Sequence, residues 1–155
     1  MLKAVFWTAI VLATLIVGLG FAAARKSAGM AAPAVTDGSL PPCSSTPNCV
    51  STEVDSQNSA YIEPIETQLT FEQLQEHLRT LGGQVTSTSD SLIQAEFRTR
   101  LFRFTDDMLL KYDNDAQLLR IRSSSRVGKS DLGACLLYTS PSPRDLSTSR
   151  MPSSA

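Results

Sequence analysis

In LFRFTDDMLLKYDNDAQLLRIRSSSRVGKSDLG, from Leu101 to Gly133, strand periodicity, turn chemistry and the clustered charges meet, and the architecture follows from them. Phe102, Phe104, Asp106, Met108, Leu110 and Tyr112 alternate with Leu101, Arg103, Thr105, Asp107, Leu109 and Lys111, the two-residue period of a strand with two unlike faces. Asp113, Asn114, Asp115 and Ala116 supply a turn, after which Leu119 and Ile121 alternate with Arg120 and Arg122. A four-residue turn that pairs Tyr112 with Gln117 sets Leu110 opposite Leu119, Met108 opposite Ile121, Asp107 opposite Arg122 and Asp106 opposite Ser123. Apolar then meets apolar on one face, and acid meets base on the other. The same register leaves Asp106 on the apolar face unless a bulge at Asp106 and Asp107 turns it outward. A carboxylate buried there without a partner would be costly, and Ser123, Ser125 and the following loop amides are the nearest candidates.

Upstream, the pattern supplies the rest of a small sheet and its cover. Ile93, Ala95 and Phe97 alternate with Gln94, Glu96 and Arg98 as a half-buried strand, and Val85 to Ser89 is a short polar one. LTFEQLQEHLRTLGG carries helix signals: Thr70 and Gln73 form a capping box, Leu69 and Leu74 stand at staple positions, and Gly82 is a stop. Phe71, Leu74, Leu78 and Leu81 make one apolar stripe for a helix lying on something flat. Tyr61 to Ile65 is an extended piece that Pro64 confines to an edge.

At the N-terminus Lys3 precedes an uncharged apolar run, Ala4 to Ala24, that stops at Arg25 and Lys26. About 20 apolar residues suffice for a helix to cross a bilayer. We read residues 1–26 as an uncleaved anchor; a signal peptide cleaved after Ala22, Ala23 or Ala24 is the competing reading. Residues 27–42, rich in Ala, Gly, Ser and Pro, read as a flexible linker that holds the domain off the membrane. Cys43 and Cys49 then enclose five residues, a loop that a disulfide could close; two reduced thiols are the alternative if the domain is cytoplasmic. The disulfide reading places the domain, residues 43–134, on the periplasmic side of the inner membrane, single-pass, with the N-terminus inside.

Composition removes several function classes. A formal net charge of −1 gives no electrostatic footprint for nucleic acid. Three cysteines and one histidine, wrongly spaced, do not make a zinc site, and five residues between Cys43 and Cys49 do not make the two-residue spacing of a thiol oxidoreductase. Gly128-Lys129-Ser130 lacks the upstream glycine of a phosphate loop, the position being Ser123. His77 lies beside the apolar stripe with no acid or nucleophile at helical spacing, and reads as structural.

The motifs TPNCVST (Thr46 to Thr52), FRFTDD (Phe102 to Asp107) and RSSSRVGKSDLG (Arg122 to Gly133), in that order, resemble an uncharacterised, mostly bacterial family, domain of unknown function 1499. The resemblance runs from about Leu40 to Gly133. It implies a small α+β domain, commonly behind an N-terminal membrane anchor, with no established activity. Ser44 stands where the family usually has a proline after the first cysteine. The family continues past the SDLG motif with an Asn and a basic helix-forming segment, whereas this chain reads CLLYTSPSPRDLSTSRMPSSA from Cys135 to Ala155. The first eleven of those residues back-translate to transposase mosaic-end adaptor DNA, so residues 135–155 read as a non-native tail, Cys135 is no native thiol, and the domain is truncated at its C-terminal end.

These readings predict an α+β fold: a small antiparallel sheet with one amphipathic helix packed on one face, preceded by an N-terminal transmembrane helix. Asp106, Asp107, Arg122, Ser124, Arg126, Ser130 and Asp131 are the candidate cluster, functional or structural. Its first use would be a charge network that locks a turn against a strand; serine hydroxyls, Arg126 and loop amides could also receive a small anion. The preferred function is a non-catalytic, membrane-tethered domain without a cofactor, whose partners are the lipid bilayer and an envelope protein or small anion. The alternative is a metal-dependent or hydrolase-like enzyme that uses Asp106, Asp107 and Asp131.

Overall fold

The computed structural model describes residues 2–128. Its elements are α1 (Leu2–Ala28), β1 (Cys49–Ser51), β2 (Ile65–Glu66), α2 (Phe71–Thr80), β3 (Gln84–Ser89), β4 (Leu92–Arg98), β5 (Thr105–Asp113) and β6 (Leu118–Ser125). The strands form one antiparallel sheet in the order β1-β6-β5-β4-β3, and β2 pairs with β6 beside β1. The architecture is α+β, with α2 on one sheet face and the long apolar α1 leading in. Lys3–Ala28 of α1 is long and apolar enough to span a membrane.

Local chemistry sets the bounds of α2. Thr70 Oγ1 accepts from the Gln73 N–H, and Gln73 Oε1 accepts from the Thr70 N–H, so two otherwise orphaned donors are satisfied reciprocally. Gly82 adopts the left-handed conformation (φ +89°) just past the C-cap Leu81. Leu74 and Leu78 are buried and Phe71 half-buried, while Leu81 is exposed, because the helix has ended before the stripe reaches it. Under α2 lie Ile93, Ala95 and Phe97 of β4, Met108, Leu110 and Tyr112 of β5, and Leu119 and Ile121 of β6. This is the main core.

The hairpin of β5 and β6 departs from expectation in two ways. First, β5 starts at Thr105: Leu101 to Phe104 belong to a turn in which Arg103 is left-handed (φ 64°) and its N–H donates to the Thr99 carbonyl. Second, the turn slides by one residue, so Asp113 pairs with Leu118 and Gln117 takes the left-handed position (φ 52°). Tyr112 therefore faces Leu119, Leu110 faces Ile121 and Leu109 faces Arg122. A partner shift of two keeps every side chain on its expected face, which is why alternation alone could not distinguish the registers. The predicted pairs of Asp107 with Arg122 and Asp106 with Ser123 are replaced by Asp107 with Ser124 and Asp106 with Ser125.

The second face of the sheet is covered by residues read from sequence as linker. Val35 and Leu40 pack with Leu92 and Leu109, and a tight turn from Thr36 to Ser39, with Asp37 and Gly38 both left-handed, aims them at the sheet. Ser27, at the end of α1, accepts from the Thr105 N–H at 3.0 Å and donates to the Thr105 carbonyl at 3.3 Å.

Candidate functional site

Consecutive strand residues point to opposite faces, and β5 keeps an unbroken register with both neighbours from Asp106 to Lys111. No bulge turns Asp106 outward. Asp106 lies on the α2 face between Phe97 of β4 and Ser125 of β6; Asp107 lies on the other face between Glu96 and Ser124. Both are buried. The sheet itself thus separates the two carboxylates.

Asp107 has a built-in partner. Just past β6, Arg126 turns back over the strand: its Nε donates to Asp107 Oδ2 at 2.7 Å and its Nη2 to Asp107 Oδ1 at 2.6 Å, a bidentate pair. The same Nη2 donates to Glu96 Oε1, and Nη1 donates to the Met30 carbonyl at 2.8 Å. The side chains of Asp107 and Arg126 are 0% and 6% exposed. The hydrogen-bonded Asp107 carboxylate is the main influence raising the Arg126 pKa above the usual guanidinium range, opposed by burial and reinforced by Glu96. The arginine is therefore permanently charged and held through all three of its nitrogens. Arg98 lies 3.9 Å from the other Glu96 oxygen and extends the network to the surface.

Arg122 and Ser124 form a second knot on this face. Arg122 Nη1 donates to Ser124 Oγ at 2.7 Å and Nη2 to the Pro42 carbonyl at 3.5 Å, which ties β6 to the segment entering the cysteine loop. Cys43 and Cys49 are joined by a disulfide, with sulfurs 2.03 Å apart. Inside that loop Asn48 connects the motifs: its Nδ2 donates to the Ser125 and Gly128 carbonyls at 3.0 and 3.1 Å, and its own carbonyl accepts from the Ser125 N–H. All three sequence motifs thus converge on one end of β6.

Asp107, Arg122, Ser124 and Arg126 are brought together on one face, and Asp106 is set on the other. Ser130, Asp131 and Cys135 lie outside the described residues. Glu96, Asn48 and Ser27, which hold the cluster and the start of β5, were not among the sequence candidates; for Asn48 the signal was its place beside Cys49 in the first motif. Among the described residues no three His, Cys, Asp or Glu side chains are placed to hold a metal ion. His77 is exposed on α2, away from these acids. An open groove of about 760 Å³, lined in part by Glu53, Phe71, Asp90, Lys111 and Arg120, lies at the opposite end of the β5–β6 hairpin and includes none of the cluster.

A family model described as a protein of unknown function, DUF1499, matches residues 39–135, more than half of the chain. No curated protein and no solved structure matches.

Proposed function

The chain belongs to the DUF1499 family of proteins of unknown function, and from that premise we propose that it is a non-catalytic domain held at a membrane by α1, on the oxidising side of the inner membrane, where it binds an envelope component. The observation that carries this reading is the Arg126–Asp107–Glu96 cluster: Asp107 and the Arg126 side chain are buried, Glu96 is partly so, and the three charges satisfy one another. Such an arrangement fixes a loop on a sheet and commits both Asp107 and Glu96 to Arg126 rather than to a shared proton or ion. The Cys43–Cys49 disulfide favours a periplasmic face, and the length and apolarity of α1 favour a single span. A small anion would have to displace two carboxylates from Arg126, so an envelope protein is the preferred partner over an anion.

Membrane fractionation with alkaline washing, combined with maleimide labelling before and after reduction, tests the placement. Retention in the membrane with Cys43 and Cys49 labelled only after reduction is expected; release by alkali, or free thiols in the isolated protein, would refute it. The enzyme alternative predicts that Ca, Mg, Mn or Zn raises the melting temperature and that Asp107→Asn abolishes the rise. The expected outcome is no metal response.

A further inference from the structure

The turn between β4 and β5 touches α1 inside its apolar stretch. The Phe102 ring packs so closely on Gly20 that a Cβ there would lie 2.6 Å from it, and its centroid is 5.6 Å from that of Phe21, in an edge-on arrangement. Phe104 lies behind Phe102, its ring tilted and centred 6.0 Å away. Gly20 precedes the basic stop at Arg25 by five residues, which at 1.5 Å rise per residue places it about 7.5 Å deeper along the helix axis. Interfacial protein segments bury their apolar side to a comparable depth, about 5–10 Å.

The turn has the chemistry for that position. Thr99 closes it, donating its N–H to the Phe104 carbonyl and accepting from the Arg103 and Phe104 N–H groups, so the backbone polar groups at its neck are paired. Leu101 stands at the tip, 73% exposed. Around it Arg98, Arg100 and Arg103 are all exposed, Arg98 reaching back to Glu96 only at 3.9 Å, and from Phe97 to Thr105 there is no acid. An apolar tip ringed by arginines, fixed beside the apolar part of a helix, matches the apolar boundary and anionic headgroups of a bilayer.

We propose that the Thr99–Phe104 turn is a second membrane contact: Leu101 and Phe102 enter the acyl boundary next to α1, and Arg98, Arg100 and Arg103 bind anionic lipid headgroups. This rests on the reading of α1 as a membrane span. The domain is then seated on the bilayer at two points.

Trp7 is the sole tryptophan, so the test uses the full chain in vesicles with brominated acyl chains, comparing wild type with Leu101→Trp and Ala116→Trp, each in a Trp7→Phe background. Leu101→Trp should be blue-shifted and quenched, Ala116→Trp at the opposite turn unquenched, and Trp7 of the wild type quenched. Quenched Trp7 with unquenched Leu101→Trp overturns the wedge and leaves the anchor standing; failure of both overturns both. A blue shift of Leu101→Trp without lipid quenching would mean a protein neighbour, and would also overturn the proposal. Phosphatidylglycerol vesicles should quench Leu101→Trp more than pure phosphatidylcholine vesicles do, and combining Arg98→Gln, Arg100→Gln and Arg103→Gln should remove the difference. If the difference persists in that variant, the arginines are not the headgroup contacts.

Discussion

The two faces of the β4–β5–β6 sheet are closed by different means. On one, α2 sets Leu74 and Leu78 over Ile93, Ala95, Met108, Leu110 and Ile121, and burial of apolar surface does the holding. On the other, a small apolar patch of Val35, Leu40, Leu92 and Leu109 adjoins buried charges, and Arg126 is fastened to Asp107, Glu96 and the Met30 carbonyl. The apolar face tolerates loss in proportion to the volume removed. The ionic face fails abruptly, because deleting one partner strands a buried charge.

That contrast orders the expected effects of substitution, read as shifts in chemical unfolding followed by circular dichroism in detergent. Arg126→Ala leaves Asp107 buried without its cation and should cost about 4 kcal/mol, whereas Arg126→Met with Asp107→Leu should recover most of the loss. A cost below about 1 kcal/mol for Arg126→Ala would mean that water reaches Asp107 and the faces are not so different. On the apolar side, Leu78→Ala should cost about 3 kcal/mol by opening a cavity under α2. Replacing Cys43 and Cys49 with serine releases a short loop and should cost about 2 kcal/mol, without disturbing α2. Thr70→Ala, which removes one half of the capping box, should cost about 1 kcal/mol.

The smallest effect expected is none. Since Arg126 is raised above its ordinary range in the folded state, its contribution is fully present below the unfolded guanidinium value and is lost only as pH climbs through the still higher folded one. The stability gap between wild type and Arg126→Ala should therefore not narrow through deprotonation of Arg126 between about pH 7 and pH 10. Unfolding midpoints of both proteins across that range check it.

The apolar face was legible in the sequence because strand alternation and a capped amphipathic helix are local signals, as Ile93, Leu110 and the Thr70–Gln73 box illustrate. The ionic face was not, because what closes it comes from far along the chain. Met30 and Arg126 are brought together across the fold, and Val35 and Leu40 sit in a stretch whose Gly and Pro content reads as linker. Asp107 reads as a charged partner, but alternation pairs it with Arg122 in a register two residues off, since a shift of two leaves side-chain facing unchanged. Alternation sets Asp106 on the apolar side unless a bulge intervenes, and the ladder runs through Asp106 and Asp107 without one. The turn containing Leu101 and Phe102 reads as strand because its residues alternate as a strand does; the left-handed Arg103, whose N–H donates to the Thr99 carbonyl, breaks it.

The reciprocal bonds between Ser27 and Thr105 give α1 a rotational phase relative to the sheet. Gly20, Ala24 and Ser27 share one side of the helix, and successive residues advance by about 100° around its axis. Adding or deleting a single residue between Gly20 and Ser27 would swing that side away from Phe102 or from Thr105, so the two contacts could not both be made. Twist applied to the helix would reach the sheet without slack, as through a keyed shaft.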